Sequence, residues 1–205
     1  MKNLVTAINP LFYLFSVILL AGCQSTPQLS EDVEWSQREA DLLSLQQWQF
    51  QGRVNARYEN ESHTPRIRWI QHDAEYTIRL WGTLNAGSTL IQGQPGLVEF
   101  EQGGESRTAT TPEQLIVEYL GYELPVSQLI YWIRGVPTPN AARRLELGEF
   151  NEVISLQQAG WSISYQDYVV VDSVSLPQRV EMTREQNNIR LVFVGLNWSL
   201  APPPI

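Results

Sequence analysis

Residues 35–58, WSQREADLLSLQQWQFQGRVNARY, carry two hydrophobic periods in succession. In the first half Trp35, Arg38, Leu42 and Leu45 recur at intervals of three and four, the spacing of one helix face. Glu31, Asp32 and Glu34 stand near its start, where the helix dipole favours acids. A helix from Trp35 to Gln47 is expected. In the second half Trp48, Phe50, Gly52, Val54, Ala56 and Tyr58 fall on every second residue, as in a strand with one buried face.

The second period then dominates. Ile67 and Trp69 share a face. Tyr76, Ile78 and Leu80 share another, with Thr77, Arg79 and Trp81 opposite. Ser88 to Gln92, Leu97 to Glu101 and Glu105 to Ala109 continue a meander, punctuated by Asn85-Ala86-Gly87, Gln94-Pro95-Gly96 and Gly103-Gly104. Asn60 to Thr64 reads as a turn. Two helices interrupt. Thr111-Pro112-Glu113-Gln114 supplies a cap hydroxyl, a first-turn proline and a glutamine at the third position, ahead of Leu115, Ile116, Tyr119 and Leu120, with Gly121 to end the helix. Pro125 to Arg134 follows, with Leu129, Ile130, Trp132 and Ile133, stopped by Gly135 and Pro137. Thr138 to Gly148 reads as a polar linker. Val153–Leu156, Trp161–Tyr165, Tyr168–Val171, Arg179–Thr183 and Ile189–Trp198 return to strand, with a turn at Gln186 to Asn188. Many consecutive strands with short turns predict a mainly β fold: an open antiparallel half-barrel with two or three α-helices covering its concave face.

The N-terminus reads differently. Lys2 precedes an apolar stretch from Leu11 to Ala21, which is shorter than the roughly 20 residues that span a bilayer. It closes on Leu20-Ala-Gly-Cys23, and Cys23 is the only cysteine. Residues 1–22 are expected to be a cleaved lipoprotein signal peptide, Cys23 the lipidated residue, 23–30 a flexible tether and 31–205 one domain. Gln24 in place of aspartate points to the outer membrane by analogy with lipoprotein sorting. The formal charge is −8, and it falls by one more when Lys2 is removed. That excludes nucleic acid as a partner overall and repels anionic lipid, leaving the covalent anchor to hold the membrane. An acidic surface also complements a basic rim on a protein partner.

Catalytic patterns are missing. There is no Gly-x-Ser-x-Gly elbow, no paired histidine or cysteine spacing for a metal and no acidic calcium loop. His63 and His72 lie in polar turns. Glu99 and Glu101 share one strand face, as solvated pairs commonly do. The glycine doublets sit between strands with no following helix, so they make no phosphate cradle. Trp48, Trp69, Trp81, Trp132, Trp161 and Trp198 are spread over strands and one helix and read mostly as packing. A sheet this long, however, has more concave area than short helices can fill, which leaves room for an apolar cavity.

Several stretches then resemble one family in order and spacing: Trp35 to Gly52 with Gln49-x-x-Gly52; Arg79 to Thr89; Leu124-Pro125 through Leu129, Trp132-Ile133, Gly135 and Pro137; Gly160-Trp161 to Tyr165; Leu176-Pro177; and Ile189, Leu191 and Trp198. Together they resemble the LolB family of outer-membrane lipoprotein receptors over nearly all of the chain after Cys23. The resemblance implies a half-barrel with helices in its mouth and a cavity for the acyl chains of lipoproteins delivered by the periplasmic carrier LolA. It further implies placement of that cargo in the outer membrane by a monomer anchored on the periplasmic face, with no enzymatic step and no cofactor or metal. The cavity is then expected between Leu115, Ile116, Leu129, Trp132 and Ile133 on the helical side and Ile67, Trp69, Ile78 and Leu80 on the sheet side. Alternation itself defines two faces without saying which is inner. The family's protruding apolar residue stands just before Gly-Ser-Thr, where this chain has Ala86, so the membrane-insertion loop is assigned to Trp81, Leu84 and Ala86. The rival is a structural lipoprotein scaffolding an outer-membrane assembly complex, which needs no cavity.

Overall fold

The computed structural model describes residues 34–59, 61–83, 87–120 and 123–205. Helix α1 (Trp35–Ser44) leads into β1 (Gln47–Tyr58). The helix ends three residues before the periodicity predicts, because the Leu42 and Leu45 carbonyls accept from Arg134 Nη1 at 2.5 and 2.9 Å and Leu45 is already extended. Next come β2 (Glu61–His63), β3 (Arg66–His72), β4 (Glu75–Thr83), β5 (Gly87–Gln94), β6 (Leu97–Gln102) and β7 (Glu105–Ala109). Helices α2 (Pro112–Leu120) and α3 (Val126–Trp132) separate these from β8 (Arg143–Leu147), β9 (Val153–Gln158), β10 (Trp161–Val171), β11 (Val174–Arg184) and β12 (Ile189–Ser199).

All the strands join one antiparallel sheet in the order β7-β6-β5-β4-β3-β1-β12-β11-β10-β9-β8, with β2 on β1 beyond the end of β3. Its two ends, β7 and β8, do not meet, so the sheet stays open. Neighbours along each half are hairpin partners; the halves meet only where β1 pairs with β12, Phe50 opposite Trp198. The tail after Ser199 extends no strand, and His72 Nε2 donates to the Pro203 carbonyl at 2.8 Å.

Three expectations need correction. Asn60 to Thr64 is not all turn: Glu61–His63 is a strand, since β1 runs past β3 and its last residues need partners, Ala56 opposite His63. Pro65, which donates no amide hydrogen, separates β2 from β3. The polar linker Thr138 to Gly148 contains the edge strand β8, where only Leu145 is half-buried, so no alternation marks it. The runs at Trp161 and Tyr168 are one strand, β10, whose register with β11 is the same on both sides of Asp167 (φ 57°).

The concave side has two unequal halves. Under β8–β12 it is solid: Trp132, Ile133, Val136, Leu156, Ile163, Leu176, Met182 and Leu196 are fully buried there. Trp132 Nε1 donates to Gln158 Oε1 (2.7 Å), and the Gln158 amide also bonds the Thr138 amide and carbonyl (2.8 and 3.0 Å). Arg134 is 3% exposed. Its Nε donates to Ile130 O (2.8 Å), and its guanidinium carbon lies 5.6 Å from the Trp48 ring and 5.7 Å from that of Tyr131. It forms no ion pair among the described residues, and burial lowers its pKa to about 10.

Arg134→Met keeps the apolar stem and leaves three carbonyls without their donor. It is expected to cost roughly 1–3 kcal/mol, the lost bonds being partly offset by removal of a buried charge. The check is the urea midpoint together with amide exchange in α1; an unshifted midpoint refutes the clasp.

Candidate functional site

The other half of the concave side is hollow. Helix α2 starts as its sequence predicts: Gln114 N donates to Thr111 Oγ1 (3.4 Å), and Gln114 Oε1 accepts from the Thr110 amide and hydroxyl (3.2 and 2.9 Å). Helix α3 has no side-chain cap of its own. Instead the Glu113 carboxylate accepts from Ser127 N at 2.7 Å, joining the two helices at the positive end of α3. Arg107 pairs with Glu118 at the surface. The helices then bridge the sheet without filling the space beneath them.

That space measures about 310 Å³. Two cross-strand rows form its sheet wall: Trp69, Ile78, Ile91 and Phe100 in one, and Ile67, Leu80, Thr89 and Gln102 in the other. Val54, Ala56, Leu191 and Phe193 continue the wall onto β1 and β12, and Ile116, Leu124, Val126 and Leu129 close it from the helices. The polar pair is self-satisfied, Gln102 Nε2 donating to Thr89 Oγ1 at 2.9 Å. Exposure rises towards His63, Gly87 and Gln102, which puts the mouth at the sheet end where β4 ends and β5 begins. At the closed end Trp69 Nε1 donates to the buried Gln71 (3.0 Å), and the rings of Trp48, Phe50 and Trp198 pack behind at centroid distances of 5.0–6.1 Å. Gly93 makes room for Tyr76: a Cβ there would lie 2.1 Å from the Tyr76 ring. Burial pushes the Tyr76 hydroxyl up to about 12.

Of the nine residues expected to line a cavity, the structure brings six to its wall: Ile67, Trp69, Ile78, Leu80, Ile116 and Leu129. Leu115, Trp132 and Ile133 are buried but outside it. Adjacent helix positions point about 100° apart, so Ile116 meets the hollow and Leu115 does not. α3 straddles the two halves: Val126 and Leu129 face the hollow, while Trp132 lies against Trp161 (6.2 Å) in the solid half. Sequence reasoning missed Val54, Ala56, Ile91, Phe100, Leu191 and Phe193. All lie on inward faces of strands it did identify, and cross-strand register was the missing information. Trp81 sits half-buried on the opposite face from Leu80, and Leu84, Ala86, Cys23, the leader and the tether lie outside the described residues. His63 is exposed at the rim, 3.4 Å from Glu61. Glu99 is solvated and accepts from Ser106.

The open antiparallel half-barrel with helices across it is a fold shared with other solved structures. A LolA-superfamily protein of Nitrosomonas europaea superposes with a TM-score of 0.51 at 9% identity, covering 84% of this chain and 96% of its own. A DUF1329-family protein of Desulfovibrio piger gives 0.54 at 7% identity, covering 80% and 88%. Within that architecture, the family model described as "Outer membrane lipoprotein LolB" matches residues 46–195. The outer-membrane lipoprotein LolB of Chromohalobacter salexigens is 37% identical over 188 residues (90% of this chain, 87% of that one), and that of Pseudomonas savastanoi pv. phaseolicola is 35% identical over 187 residues (87% and 91%). The chain therefore belongs to the LolB family and is a lipid-anchored lipoprotein of the outer membrane.

If the hollow takes alkyl chains, Ile116→Glu places an unpaired carboxylate in its wall. Affinity for a fluorescent fatty-acid analogue should fall about tenfold or more, read by fluorescence titration. Val117→Glu, one position along α2 and 42% exposed, should leave it unchanged.

Proposed function

We propose that this chain is an outer-membrane lipoprotein receptor: it takes the acyl chains of a lipoprotein from the periplasmic carrier LolA into its hollow and releases the cargo into the outer membrane from the periplasmic side. The observation that carries the reading is the unfilled apolar space between sheet and helices, open at one end. Burial is worth about 0.8 kcal/mol per methylene, so a long chain exposed to water costs on the order of 10 kcal/mol. A carrier and a receptor must therefore keep it covered throughout exchange. No bond is made or broken, and direction follows a ladder of rising apolar affinity from carrier to receptor to bilayer.

The hollow is at the small end for a ligand pocket, which runs to about 1,000 Å³. It suits one chain, and a multiply acylated cargo requires α2 and α3 to lift. Their tie to each other through Glu113 and Ser127 lets them move as a pair. Cys23 would carry the anchor, and the segment between β4 and β5, with the apolar Leu84, would enter the bilayer at release. A scaffold of an assembly complex shares the anchor but has no use for a hollow, and family membership does not favour it.

Carrier loaded with acylated cargo, mixed with the chain lacking Cys23, should lose that cargo to it, as read by affinity pull-down; cargo that stays on the carrier refutes the receptor reading. In a second assay Leu84→Glu should accept cargo normally and fail to place it in vesicles. Undiminished placement removes Leu84 from the mechanism.

A further inference from the structure

The convex face of the sheet carries a charge pattern that the acyl-chain reading leaves unused. In register across β1, β3 and β4 lie Arg53, Arg66 and Trp81 in one row and Gln51, Arg68 and Arg79 in the next. Arg53, Arg66 and Arg79 are exposed and Arg68 is half-buried. None of the four forms an ion pair among the described residues; Arg68 donates to the neutral Gln49 side chain at 3.0 Å. Glu181, on β11, is engaged by Arg190 (2.7 Å) and Arg179 (3.9 Å), and Glu101 lies beyond β5, with Leu90 between it and Arg79.

Like charges directly opposite each other weaken a sheet. Here Arg53 faces Arg66 and Arg68 faces Arg79, in a chain with 22 acidic against 14 basic residues. Acids to separate them were plentiful, so stability does not explain the rows. They also border a recess of about 450 Å³ lined by Gln51, Arg53, Arg66, Trp81 and Asn197. The recess forms where β12 slips register against β1 between Gln51 and Arg53, at Gly195 (φ 62°). Trp81 lies near the end of β4, and Gly87, where β5 begins, is on the rim of the hollow. On β3 and β4 the recess therefore reaches the outer side of the sheet end that carries the mouth, and from there it runs to mid-strand on β1 and β12.

We propose that this recess and its arginine rows are a docking face for the phosphate headgroups of anionic phospholipids, seating the mouth of the hollow against the bilayer. Guanidinium forks bind phosphate oxygens in pairs, and tryptophan favours the membrane–water interface. Screening limits the repulsion of distant acids to about 8–10 Å, so at contact the local charge decides. A lipid anchor tethers the chain without orienting it, and this face supplies the orientation. The inference rests on the reading of the chain as a membrane-anchored receptor.

The lipidated chain is reconstituted into vesicles of phosphatidylcholine alone or mixed equally with phosphatidylglycerol. Arginines are then modified with phenylglyoxal and the sites read by mass spectrometry. Modification of Arg53, Arg66, Arg68 and Arg79 should slow about fivefold in the mixed vesicles, the gain per basic side chain at an anionic surface. Arg144, exposed on the far edge strand, should not change. Equal rates in both vesicles overturn the proposal. So does equal protection by soluble glycerol phosphate in pure phosphatidylcholine, which marks a free-phosphate site, or protection by the carrier alone, which marks a protein interface. The Arg53→Gln, Arg66→Gln double variant should place cargo more slowly in the mixed vesicles with its uptake from the carrier unaltered, and undiminished placement overturns the proposal as well. Failure of that uptake in the unsubstituted chain would defeat the receptor reading instead, so the two failures are distinct.

Discussion

One buried cation fixes the layout. Arg134 joins the end of α3 to the end of α1 by donating to carbonyls of both, and it does so without a carboxylate, relying on the faces of Trp48 and Tyr131. Backbone carbonyls of a helix end are natural partners for a cation. The result is a wedge of Arg134, Trp132 and Ile133 that fills one half of a wide curved sheet. The three short α-helices among the described residues hold too few side chains to fill both halves. Because one is packed tight, the deficit collects in the other, and the hollow is where the helical cover runs out.

This uneven filling explains how one fold is both firm and accommodating. Gln158 and Trp132 lock the segment after α3 in place. The roof of the hollow is held by apolar contact, one carboxylate on a helix start and surface pairs such as Arg107–Glu118, which contribute little in water. A weakly held roof beside a firmly packed core is the pattern expected of a binding device.

Much of this was legible in the residues. Alternation from Trp48 to Tyr58 announced the sheet, and Thr111-Pro112 announced α2 to the residue. Alternation put Ile67 with Trp69 and Ile78 with Leu80 but left the inner face open, and the register of β3 with β4 is what joins the two pairs into one surface. Less local facts were hidden. Nothing in the pattern of α3 separates Leu129, which faces the hollow, from Trp132, which plugs the core; both are apolar and three residues apart, and the sheet beneath them makes the difference. Strand β8 stayed invisible because an exposed edge strand needs no hydrophobic face. The arginine rows were masked by the net charge: a sum of −8 suggests repulsion from acidic lipid, whereas the register of β1, β3 and β4 concentrates the opposite sign at one place.

The pairing of β1 with β12 has a consequence for biogenesis. Each half of the sheet is a chain of local hairpins that can assemble early, but the seam joins the first long strand to the last. Contacts so distant in sequence form slowly, and β12 follows every other described strand in chain order. Until then the inward edge of β1 has no neighbour, and the greasy interior stands open to anything in the periplasm. A fold with so open an apolar interior is thus itself in need of shelter until β12 joins β1.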